Sequence, residues 1–175
     1  MKVRALCLIV ALAACSAPGQ SPAAATIDEC PITDTLYTMR GRPDVTAGFR
    51  DVGQHREWAG TLAFHVTSAR SGRSYWFLFD QGSAHAVNLI STTDVVAPGW
   101  QPPNADGGVR PLGEQHFLAA DGDLTFAAAL PKTGAKAPRY ILLPDLSEVM
   151  AHKADPREDV PTAFFEATGC GRQPR

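Results

Sequence analysis

The chain has 175 residues, with 16 Lys and Arg against 18 Asp and Glu and a formal net charge of -2. That length fits one domain with a real core. No basic run is present, so nucleic-acid binding has no electrostatic support.

Lys2 and Arg4 precede an apolar run from Ala5 to Leu12, and the small residues Ala13 and Ala14 follow. This order predicts a secretory signal peptide over residues 1–14. The run is far shorter than the roughly 20 apolar residues that a membrane-spanning helix needs. Leu12-Ala13-Ala14-Cys15 resembles the lipobox of bacterial lipoproteins. The resemblance implies cleavage before Cys15, a diacylglycerol on its thiol and an acyl chain of the palmitate class on the new amino group. Each buried methylene contributes about 0.8 kcal/mol, so two or three such chains hold a protein on a membrane almost permanently. Ser16, not Asp, follows the cysteine. By resemblance to lipoprotein sorting, the expected place is the periplasmic face of the outer membrane, and the expected first partner is the membrane itself.

With Cys7 lost in the signal and Cys15 taken by lipid, Cys30 and Cys170 are left as one possible pair. An exported chain sits in an oxidising compartment, so a Cys30–Cys170 disulfide is expected. Without a C-x-x-C or clustered ligands, a redox or metal role is the weaker reading.

Pro18, Gly19, Pro22 and the Ala23-Ala24-Ala25 run cannot build a core. Cys15 and a flexible tether are therefore assigned to residues 15–29, and a single β-rich globular domain to 30–175. Leu36-Tyr37-Thr38-Met39 reads as a short strand. Gly41, Pro43, Gly48 and Gly53 break anything longer, and the charges around Trp58 suggest a partly exposed turn or a short helical piece. Leu62, Phe64 and Val66 alternate with Ala63, His65 and Thr67, which is the half-buried strand pattern. Ser71 to Ser74 reads as a turn. Tyr75 to Phe79 is apolar on both faces, as in a strand covered on two sides. Gln81-Gly82-Ser83 turns the chain into a third strand, Ala86 to Ile90, which makes an antiparallel meander.

Residues 93–116 form a Pro- and Gly-rich loop holding Trp100. Trp100 either clasps that loop onto the core, the favoured reading, or serves as a binding anchor. Phe117-Leu118 and Leu124 to Leu130 read as strands flanking a turn at Asp121-Gly122-Asp123. Tyr140 to Leu143 is a buried strand. Asp145 to His152 reads as a helix, with Asp145 and Glu148 at capping-box spacing. Thr162 to Thr168 is the last strand. Six or seven strands with one or two short helices predict a mostly β domain, an antiparallel sandwich or small barrel, closed by one disulfide.

Catalytic signatures are missing. There is no H-E-x-x-H, G-x-S-x-G, S-x-x-K or phosphate loop. His65 and His85 lie on strands that allow a two-His arrangement, but no third metal ligand can be nominated. The expectation is no cofactor, no metal and no enzyme activity. Ser71-Gly72-Arg73-Ser74-Tyr75 matches S-G-x-x-Y, which is similar to the loop motif of periplasmic inhibitors of c-type lysozymes. Several of those are lipoproteins with a β-barrel. The resemblance implies that Ser71 and Tyr75 are contact residues for an enzyme cleft, and no second inhibitor motif accompanies them. The leading expectation is a lipid-anchored, non-enzymatic binding or structural protein of the envelope with an envelope-protein partner. Inhibition of lysozyme or a toxin through Ser71 and Tyr75 is one alternative, and an envelope-polymer hydrolase with an unrecognised site is another.

Overall fold

The alternating stretch after Thr61 and the aromatic run after Ser74 pair with each other in the wall of a closed barrel. The computed structural model describes residues 27–82 and 86–171. Eight strands follow in chain order: β1 (Thr35–Met39), β2 (Arg42–Asp51), β3 (Leu62–Ser68), β4 (Arg73–Gln81), β5 (Val87–Thr92), β6 (Glu114–Ala120), β7 (Tyr140–Leu142) and β8 (Phe165–Cys170), with one helix, α1 (Leu146–His152), between β7 and β8. Each strand pairs antiparallel with the next, and β8 returns to β1, so the sheet has no free edge. Of the two predicted architectures, the barrel is the one formed. Cys30 and Cys170 are bonded across 140 residues of sequence.

Aromatic rings fill the interior. Phe49 lies 5.1 Å from Phe64 and 5.9 Å from Phe79, and Phe79 lies 5.0 Å from Phe117, measured between centroids. Tyr37, Phe77 and Phe165 are fully buried with them. An eight-stranded barrel is just wide enough for side chains to fill it, and here rings do so.

Three assignments are corrected. Residues 42–51 form the ten-residue strand β2, although Pro43 and Gly48 argued against one. Pro43 is exposed near the strand's start, and Phe49 and Val45 point into the core at period two. The partly exposed turn expected around Trp58 forms: Arg56 and Glu57 are exposed in it, the Trp58 N–H closes it on His55 O at 3.2 Å, and the Trp58 side chain itself is 4% exposed. The turn at Asp121 forms, but Leu124 to Leu130 is no strand: only an isolated bridge joins Ala120 to Phe126. Asp145 precedes α1 without capping it through its side chain. Its Oδ2 instead accepts from the backbone N–H of His116 at 2.8 Å and lies 2.9 Å from the His116 ring nitrogen.

The predicted two-sided cover of β4 is present. Tyr75, Phe77 and Phe79 belong to the interior core. Trp76 and Leu78 face outward into a second cluster with Trp58, Ala63 and Ile90, packed over by Val95, Trp100 and Ala105 of the 93–113 connection. Strand alternation sorts the connections to two ends. One end carries residues 40–41, 69–72, 93–113 and 143–164; Leu143, Leu146, Val149, Met150 and Val160 of the last join the core and close it. The opposite end carries the entering chain, the 52–61 and 121–139 connections and the disulfide.

Candidate functional site

Polar chemistry gathers beneath the β3–β4 hairpin. Ser68 ends β3, residues 69–72 turn, and Arg73 begins β4 opposite Ser68. Gly72 takes φ 68, a left-handed conformation that a side chain resists. The Gly72 N–H donates to Ser68 O at 2.9 Å, and the Ala69 N–H donates to Asp44 O at 2.8 Å, which ties the turn to β2.

Glu158, on the α1–β8 connection, reaches under this turn and is 4% exposed. The Ser68 hydroxyl donates to its Oε2 at 2.5 Å. The Ser71 hydroxyl and the Tyr75 hydroxyl, the latter at 3.2 Å, both donate to its Oε1. Three hydroxyls thus replace the water that the carboxylate loses on burial. Arg42 reinforces the strap one residue along: it donates to Asp159 O at 2.6 Å and holds Asp44 with two bonds of 2.9 Å. The Asp44 carboxyl is lowered chiefly by the hydrogen bond from Arg42. Burial, with the Glu158 charge next, raises the Tyr75 phenol above its ordinary value.

The two residues of the S-G-x-x-Y pattern therefore meet, and they meet on a third residue that sequence reading did not name. Glu158 sits in Asp155-Pro156-Arg157-Glu158-Asp159, which carries only the signal of a solvated charged turn. Both hydroxyls are turned inward onto it. What the turn offers to solvent is Arg70, Gly72, Arg73 and Ser74, all exposed. Chemically the arrangement is a clamp: the carboxylate fixes one hairpin against the end of the barrel.

Trp100 lies apart from this clamp. It is half-buried in the outer cluster, 5.9 Å edge-on to His55, with its indole N–H buried and lacking a partner among the described residues. That placement is the clasp. His65 packs 4.7 Å from Trp76 on the outer wall; its proposed companion His85 lies outside the described residues, as does Cys15. Among the described residues no three His, Cys, Asp or Glu gather in a group able to hold a metal ion, and no helix is long and apolar enough to cross a membrane. Comparisons with protein-family models, with curated proteins and with solved structures found no match to this chain.

Proposed function

We propose that this is a lipid-anchored envelope protein that works by binding another protein, with the β3–β4 hairpin as its recognition element. The observation that carries the reading is the convergence of Ser68, Ser71 and Tyr75 on buried Glu158. A loop fixed before contact loses little conformational freedom on binding, which is how a small protrusion reaches useful affinity. The ring-filled interior supports the same view, since it leaves recognition to the outside of the barrel. The hairpin also lies at the end away from the entering chain, so an anchor at Cys15 leaves it free to face a partner. A photo-cross-linker at position 73 in the intact protein tests this. One discrete adduct, lost when Glu158→Ala loosens the clamp, is expected; equal labelling by a probe placed at exposed position 114 on β6 overturns it.

A narrower reading has its own support. The S-G-x-x-Y pattern falls on the exposed turn of a closed barrel, the setting that the resemblance to inhibitors of c-type lysozymes implies. On this reading Arg70, Gly72 and Arg73 enter the lysozyme cleft, and Ser71 and Tyr75 shape the turn that carries them. Purified protein then suppresses lysis of a peptidoglycan suspension, and Arg70→Ala with Arg73→Ala relieves that suppression without lowering thermal stability. Folded protein with no effect on lysozyme sinks this reading.

A further inference from the structure

Residues 124–129 read Leu-Thr-Phe-Ala-Ala-Ala, and all six are exposed. Leu124 is 58% and Phe126 54% exposed. Isolated apolar residues on a surface need no account, but a contiguous apolar stretch marks a contact surface. The stretch is held out by a defined turn: Asp121 Oδ1 accepts from the backbone N–H groups of Asp123 and Thr125 at 2.9 Å each. Leu124 sits at φ 61, a conformation that non-glycine residues rarely adopt.

The location names the occupant. The turn stands at the barrel end where the chain enters; Ile27, Asp121, Gly122, Lys136 and Arg139 line one shallow crevice there. Residues 16–26 are all that separates Ile27 from Cys15, and covalent geometry caps their reach at about 40 Å. Lys132 and Lys136, both exposed, stand in the same connection, where the exposed Asp121 and Asp123 precede the apolar stretch. We infer that the 121–139 connection is a membrane-contacting surface, with Leu124 and Phe126 in the lipid interface and Lys132 and Lys136 against lipid phosphates. The inference rests on the proposed anchor at Cys15 for its geometry. Apolar side chains entering the headgroup boundary beside cations are the common composition of interfacial contacts. The consequence is an orientation: the hairpin clamped by Glu158, at the opposite end, points away from the bilayer.

The test uses the chain from Cys15 to Arg175, coupled through the Cys15 thiol to maleimide lipid in vesicles of phosphatidylethanolamine and phosphatidylglycerol. Hydrogen exchange of the amides in 122–129 is compared with that of the same chain free of vesicles. Severalfold slowing on the vesicles is expected, lost in Leu124→Ser with Phe126→Ser while the melting temperature and the exchange of 69–72 stay unchanged. Equal exchange on and off vesicles overturns the surface. Slowing that grows with protein concentration in the absence of lipid also overturns it, and assigns the stretch to a second copy of the chain. Mass analysis of Cys15 from native membranes decides the anchor separately. An unacylated Cys15 defeats the anchor, whereas flat exchange on coupled vesicles defeats this surface alone.

Discussion

Glu158 is held by hydroxyl donors from two strands and their turn, so its removal takes an acceptor from three groups at once and leaves Tyr75 only a longer bond to Pro156 O at 3.4 Å. Glu158→Ala is expected to lower unfolding free energy by about 2–4 kcal/mol in urea titration, with Glu158→Gln costing less because an amide oxygen still accepts. A similar melting curve for Glu158→Ala and the parent would show that the clamp contributes nothing. Tyr75 gives one part of the alkaline pH dependence, beside the fully buried Tyr37, whose phenol is also raised by burial. Burial and then the Glu158 charge raise the Tyr75 pKa above 10, so the folded state binds this proton more tightly than the unfolded chain. Its contribution is fully present below pH 10 and is lost as the pH rises toward the higher folded value. Alkaline unfolding should therefore be shallower in Tyr75→Phe, a difference that denaturation curves at rising pH would detect. None of this was legible from residues 155–159, because charge alone does not say that a turn will fold over three hydroxyls 83 to 90 positions away in sequence.

At the scale of elements, the long connection after β5 acts as an outer layer. Trp58 donates its indole N–H to Pro103 O at 3.0 Å and packs with Trp76 against it. Trp58→Ala is expected to cost about 3–5 kcal/mol and to speed hydrogen exchange across residues 95–110. Trp100 should behave differently. Its buried N–H has no partner among the described residues, so Trp100→Phe removes an unsatisfied donor and should stay within about 1 kcal/mol of the parent, while Trp100→Ala loses the clasp and costs more. Equal losses for the two Trp100 variants would refute this account. Sequence found β3, β4 and the covered faces of β4 because period-two alternation and aromatic density are local signals. It missed β2, where Gly48 and Pro43 are poor strand formers tolerated by the closed ladder with β1 and β3. It extended Leu124 to Leu130 into a strand because apolar content does not reveal that β6 is already paired on both sides.

For the molecule as a whole, the disulfide joins the entry of the chain to the end of β8, and β8 pairs with β1 beside it. In the loop-entropy account a closure of this length stabilises by at most about 5 kcal/mol through the unfolded chain. Cys30→Ser with Cys170→Ser should lower the urea midpoint strongly. It should also raise exchange in β1 and β8 before β3 and β4, because the latter keep their hairpin contacts. Uniform exchange changes across all eight strands would instead indicate that the barrel opens only as a unit.

The sequence by itself determined the β class and the meander from β3 to β5, since each rests on a local period or composition; it favoured the clasp for Trp100 and offered Cys30 with Cys170, and the packing and the bond itself decided those. The sequence also carries the expectations about export and the anchor at Cys15, which lie outside the described residues. Only the tertiary structure decided that the sheet closes as an eight-stranded barrel, that Ser71 and Tyr75 turn inward onto Glu158, and that residues 124–129 stand exposed beside the entering chain. Those are long-range facts: strand closure, burial of a charge and exposure of an apolar stretch depend on which distant segments occupy the neighbouring space, and no local pattern encodes that occupancy.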